Sequence, residues 1–141
     1  MPFTESNYEN AILNLFTDVL GYSYAYGPDI DRDYHDPLYE ELLLSALQRI
    51  NPGLPMEALN EAVYKIKNFE TGTLLQKNMT FTDYMQSGVP VKYFVNGEER
   101  SALVYLIDFR TPANNDFTVV NQWSIVENSQ KRPDVILFVN G

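Results

Sequence analysis

Cysteine is absent from the 141 residues, and His and Trp occur once each, as His35 and Trp123. Without cysteine there is no disulfide framework, no thiolate zinc site and no Cys nucleophile. Any Ser-His-Asp arrangement would have to use His35. Basic residues are scarce: ten Lys and Arg stand against nineteen Asp and Glu, for a formal charge of −9. The deficit is uneven, with four basic and twelve acidic residues in 1–70 but six and seven in 71–141. A basic footprint for gripping phosphates is therefore missing from the chain alone. That argues against a self-sufficient DNA binder, but not against an acidic catalytic module that larger basic partners deliver to DNA. No apolar run approaches the ~18 residues of a membrane span, so no membrane partner is expected. The opening Met-Pro-Phe-Thr-Glu-Ser has neither the basic nor the apolar segment of a secretory signal, which leaves the cytoplasm as the default compartment. No G-x-x-x-x-G-K-[ST] loop for ATP phosphates occurs.

What is present is a composition of 45% apolar and 13% aromatic residues, far too apolar for a disordered chain. The length suits one domain over residues 1–141, with a helical part at about 5–70 and a strand-rich part at about 88–141. Ile12, Leu15, Phe16, Val19 and Leu20 recur at helical spacing, Ser6-x-x-Glu9 matches a capping box, and Gly21 is a stop. Residues 27–36 form a loop. Asp36-Pro37 resembles an N-cap with Pro in the first turn, ahead of a stripe of Leu38, Leu42, Leu43, Ala46, Leu47 and Ile50 that ends at Asn51-Pro52-Gly53. A third helix from about Pro55 carries Leu59, Ala62, Val63, Ile66 and Phe69, stopping before Gly72. Val89–Val95 and Ser101–Phe109 then read as strands around Asn96-Gly97, a strong hairpin signal. Phe117–Val126 reads as a further strand, and Asp134–Val139, apolar on both faces, as a central buried one. Helices first and strands later give an α/β (α+β) reading. Asn140-Gly141 is a turn that would launch a partner strand, so the chain is expected to be cut at that turn and to associate through the uncovered strand.

Asp134 is the leading candidate for chemistry, because its carboxylate opens an otherwise apolar strand and is expected at the edge of a core. Such a group is tolerated if paired, neutralised or bound to a metal. The alternative is a turn residue within Lys131-Arg132-Pro133-Asp134, bonded to local backbone or to Arg132. Asp29, Asp31, Asp33 and Glu40 fall at the first, third, fifth and twelfth places of a calcium-loop template. Tyr34 occupies the place that requires Gly, and Asp36 the apolar eighth place, so the cluster reads as a solvated acidic loop with His35 exposed in it. Tyr22, Tyr24 and Tyr26 alternate as in a short extended segment. Lacking Lys and Arg among them, they read as packing rather than base-stacking residues.

The stretch Leu106-Ile-Asp-Phe-Arg-Thr-Pro-Ala-Asn-Asn-Asp-Phe-Thr-Val-Val-Asn-Gln-Trp123, with Arg132-Pro-Asp-Val-Ile-Leu-Phe-Val-Asn-Gly141, resembles the N-terminal region of the restriction subunit of Type I restriction–modification enzymes. The resemblance extends back to Gly88-Val-Pro-Val and, more weakly, to Thr4-Glu5-x-x-x-Glu9 and Leu20-Gly21-Tyr22. It implies a restriction-endonuclease-like, PD-(D/E)xK core, with helices packed on a mixed sheet and incomplete at the C-terminus. In that class an Asp on one strand and a Glu and Lys on the next surround Mg²⁺, which polarises the scissile phosphate and activates a water. Pro133-Asp134 matches the first half; the E-x-K half is not in this sequence. The resemblance further implies an acid of the first helix near the metal: Glu9, with Glu5 as alternative, although Ser6-x-x-Glu9 also explains Glu9 as a capping residue. Asp108, at a Phe-Arg-Thr-Pro turn, reads as structural. The implied parent cuts double-stranded DNA with Mg²⁺ after ATP-driven translocation. ATP binds outside these residues, methylation and specificity subunits are the partners, and this fragment alone is expected to be inactive. The rival reading is a non-catalytic acidic module for subunit docking or DNA mimicry.

Overall fold

The structure, a computed structural model, describes residues 4–127 and 129–141. Among these residues the chain is mixed α/β, with four α-helices and three small sheets. It divides into two compact units, one made of residues up to 43 together with 116–141, the other of residues 44–115.

In the second unit, α3 (Met56–Lys67) turns Ala58, Leu59, Ala62, Val63 and Ile66 inward. This i, i+1, i+4 stripe lies against the hairpin of β2 (Val89–Val95) and β3 (Glu98–Val104). Asn96 at φ 52° and Gly97 at φ 79° form the two-residue turn expected there. Asn51, 6% exposed, ends α2 (Glu40–Ile50) and also ties it to the chain after β3. Its amide donates to the Leu47 and Tyr105 carbonyls at 3.0 and 2.9 Å, and its oxygen accepts from the Tyr105 N–H at 2.8 Å. One helix, α4 (Leu74–Ser87), is absent from the sequence reading. Thr73 and Gln76 form its reciprocal cap, but no side chain of α4 is buried and Leu74, Leu75 and Met79 are exposed, so its apolar periodicity is faint.

In the first unit, β1 (Ser23–Tyr26), β4 (Phe117–Asn121) and β7 (Val135–Val139) form a sheet of order β1-β4-β7. β1 runs parallel to β4, and β7 antiparallel to it. One face carries Ala25, Val120, Ile136 and Phe138, which pack with Trp123, Tyr39, Ile30 and Ile125 into a core. Trp123 meets the Phe138 ring at 4.7 Å and the Tyr39 ring at 5.5 Å. Arg32 lies over Trp123, 3.5 Å from the ring centroid, and its guanidinium donates to the Asp36 and Ser124 carbonyls, fastening the acidic loop to this core. The first turn of α2 belongs to this unit, and the Tyr39 N–H before it donates to the Gly141 carbonyl at 3.1 Å.

Four expectations are corrected. The central strand is β4; β7 pairs with β4 alone among the described residues, and its Leu137 and Val139 are exposed. The run from Phe117 to Val126 breaks at Gln122, whose φ of 57° leaves the extended region, so only the two-residue β5 (Ile125–Val126), paired with β6 (Gln130–Lys131), follows it. α2 starts at Glu40, because Asp36 folds back instead, accepting from the Leu38 N–H at 2.9 Å in an Asx turn. The reciprocal cap of α1 (Glu5–Asn14) is Thr4 with Asn7, not Ser6 with Glu9. The helix continues as one π-helical turn, Leu15–Val19, and turns Leu13 inward while Ile12, Leu15, Val19 and Leu20 are exposed.

Candidate functional site

Glu9 precedes the buried Leu13 by four residues and so shares its face of α1. Released from capping, its half-buried carboxylate meets the end of β4. Oε1 accepts from Asn121 Nδ2 at 3.0 Å and from Gln122 Nε2 at 3.2 Å, and Oε2 from Gln122 Nε2 at 3.4 Å. Asn121 is held in turn by the Tyr24 hydroxyl of β1, which donates to Asn121 Oδ1 at 2.8 Å. The donors to Glu9 are carboxamides, which orient a carboxylate without cancelling its charge.

Asp134 comes to the same end of the sheet. The last β4–β7 pair is Asn121 with Val135, and just beyond it the Gln122 N–H donates to the Asp134 carbonyl at 3.1 Å. The side chain lies past the ladder, so it is exposed rather than at the edge of the core, which corrects the sequence reading. No hydrogen bond or ion pair reaches its carboxylate among the described residues, the alternative pairing with Arg132 included. Gln122 thus touches both candidates, Glu9 through its side chain and Asp134 through its backbone. Gly27 makes room for it: a Cβ there would collide with the Asn121 and Gln122 carbonyls.

Two carboxylates with oxygen lone pairs to spare are hard ligands of the kind Mg²⁺ takes, commonly one or two at a time beside waters and substrate phosphates. In donor type the two acids would suit an open site and not a closed cage, since no group of three or more His, Cys, Asp or Glu is arranged to hold a metal among the described residues.

The other acids are differently employed. Asp108 accepts from the N–H groups of Arg110 and Thr111 at 3.0 and 2.9 Å and from Asn114 Nδ2 at 2.9 Å. The Thr111 N–H, then Asn114, hold its carboxyl below the ordinary aspartate range. Asp33 accepts from the His35 N–H at 2.9 Å, and its neighbours Asp29 and Asp31 are exposed. Glu5 is exposed in the first turn of α1. At the opposite end of the sheet the Asp116 N–H donates to Asn140 Oδ1 at 2.6 Å, the Asn140 N–H to the Asp116 carbonyl at 2.9 Å, and the Thr118 hydroxyl to the Asp116 carboxylate.

Sequence reasoning missed Asn121, Gln122 and Tyr24. The signal was two adjacent carboxamides closing a β-branched run, where alternation alone would continue the strand.

The family model described as Type I restriction enzyme R protein N terminus matches residues 2–141. Among curated proteins, the Type I restriction enzyme HindI endonuclease subunit of Haemophilus influenzae is 35% identical over 132 residues, covering 86% of this chain and 12% of the relative. The putative type I restriction enzyme MjaIXP endonuclease subunit of Methanocaldococcus jannaschii is 29% identical over 143 residues, covering 94% of this chain and 14% of the relative. The chain therefore spans about an eighth of the length of these relatives. No solved structure gives a significant match.

Proposed function

Because the chain belongs to the Type I restriction enzyme R protein N-terminus family, we propose that it is the part of a DNA-cleaving subunit that contributes Asp134 and Glu9 to a Mg²⁺ site of the PD-(D/E)xK kind. The observation that carries this reading is that Gln122 bonds both to Glu9, 113 residues before it, and to the Asp134 backbone, 12 residues after it, at one end of the β1-β4-β7 sheet. Among the described residues the Asp134 carboxylate is uncommitted, and the groups bonded to the Glu9 carboxylate are neutral amides. Mg²⁺ bound there would polarise the scissile phosphate and lower the pKa of the attacking water. The chain contains no E-x-K, so the Glu and Lys of that motif come from outside it, and without them the chain alone does not cleave.

In the complete protein the substrate is double-stranded DNA, drawn in by ATP-dependent translocation through domains other than this one. Methylation and specificity subunits choose the recognition sequence. The scarcity of Lys and Arg supports this division of labour, since these residues offer little to hold phosphates unaided.

The test is plasmid cleavage by the assembled full-length enzyme with Mg²⁺ and ATP, comparing the parent with Asp134→Ala. Loss of cleavage with ATP hydrolysis retained supports the assignment. Cleavage at the parental rate refutes it.

A further inference from the structure

We infer that Gln122 is the positioning residue of this site, fixing the Glu9 carboxylate on α1 relative to the Asp134 end of β7; the inference rests on the metal-site reading above. Gln122 bonds to both residues, to the carboxylate of Glu9 and to the backbone of Asp134, by a different part of itself in each case. Its side-chain amide donates to both Glu9 oxygens, at 3.2 and 3.4 Å. Its backbone N–H donates to the Asp134 carbonyl at 3.1 Å.

The backbone conformation argues that the side chain matters. At φ 57° an unbranched residue other than Gly, Asn or Asp is uncommon. A residue needed only to turn the chain out of β4 would be Gly or Asn, which adopt this region with less strain. Glutamine has the reach to span from the end of β4 to α1 and the N–H donors to hold a carboxylate there. The strain is tolerated because the surroundings fix the position: Gly27 packs against the Gln122 carbonyl, and the last β4–β7 pair, Asn121 with Val135, precedes it.

The donor type fits a cation site. An Arg or Lys at position 122 would hold Glu9 as firmly but would compete with a bound metal for its charge. An amide leaves that charge available. Asn121 repeats the device, with Tyr24 fixing its other side, so Glu9 is steered by a relay that starts on β1. Groups of this kind, which orient a ligand without touching the metal, raise affinity by limiting the geometries the ligand samples.

Glycine at this position separates the two roles. Gln122→Gly suits the backbone and deletes the amide, so a plain turn residue would be replaced without effect on the site. The experiment is calorimetric titration of Mn²⁺ alone into the full-length protein, for the parent, Gln122→Gly, Gln122→Met and Asp134→Ala, with a thermal midpoint for each. Gln122→Gly should bind Mn²⁺ about 10–100-fold more weakly at an unchanged or higher midpoint. Gln122→Met, of the same length but without the donor, should show the same loss and serves if the glycine variant melts early. Parental affinity in both, with binding abolished by Asp134→Ala, overturns the positioning role and leaves the metal reading intact. Parental binding that Asp134→Ala does not weaken overturns both.

Discussion

The two ends of the β1-β4-β7 sheet use their polar residues in opposite ways. At the end where β4 begins, Asp116, Thr118 and Asn140 bond to one another; Asn140 is 1% exposed. At the other end, Glu9 is held by neutral amides and no cation, and Asp134 is exposed with its carboxylate uncommitted among the described residues. The closed end resembles Asp108, whose oxygens are occupied by the backbone N–H groups and the Asn114 amide of the turn they organise. An acid whose acceptors are spent on its own turn is architecture. An acid brought across the fold and left with acceptors to spare is available for a ligand, and this distinction requires coordinates rather than composition.

The comparison can be broken most directly at the open end. In the full-length enzyme, Asp134→Ala should lower cleavage by more than about 100-fold, beyond the usual range for a residue that merely supports a metal ligand. Its stability should stay within about 0.5 kcal/mol of the parent, as for a surface change. Cleavage assays with urea unfolding of the same preparations check both halves. A large loss of stability would make the open end as structural as the closed one.

Gly27→Ala should come next, at about 2–3 kcal/mol, because the added methyl meets two backbone carbonyls that cannot rotate away. At the closed end, Asn140→Ala should cost about 1–2 kcal/mol, since it leaves the Asp116 N–H without its acceptor and puts Ala at φ 61°. Both are read as a shift in urea midpoint at constant slope. If Asn140→Ala also weakened Mn²⁺ binding with folding intact, the two ends would not be independent.

The smallest effect belongs to Asp108. Its carboxyl is held below the ordinary range, first by the Thr111 N–H, so it stabilises the fold fully above its unfolded pKa of about 3.9. That contribution is lost as pH falls through the depressed folded value. The thermal midpoint of Asp108→Asn should therefore lie below the parent near neutrality and converge with it in acid. A gap that persisted in acid would mean the carboxylate charge is not what the loop uses.

Patterned elements were legible in the sequence. The α3 stripe and the Asn96-Gly97 hairpin follow from spacing and turn chemistry, and the structure contains both. α4 was not legible, because a helix with no fully buried side chain, only half-buried ones such as Phe81 and Tyr84 against Phe69, leaves a faint stripe. The apolar run on α1 misled for the converse reason: the inward face is set by Glu9 and Leu13, one polar and one apolar, and a hydrophobicity count discards the first. The two acids were singled out from a resemblance and a strand boundary. Their link was not, since Gln122 bonds to positions 113 residues back and 12 residues ahead, and local pattern carries no information about such partners.

The parallel pairing of β1 with β4 bears on when this site comes into being. Ser23 pairs with Thr118, 95 residues further on, with all of residues 44–115 between them, whereas the β2–β3 turn closes Val95 against Glu98. Closing the longer loop carries a larger entropic penalty before any contact repays it. The hairpin and α3 should therefore order early and the three-stranded sheet late. In refolding followed by pulsed hydrogen exchange, the Gln122 amide should gain protection after that of Val91. On a ribosome, Glu9 would wait, exposed and charged, for more than a hundred residues of synthesis before its partners emerged.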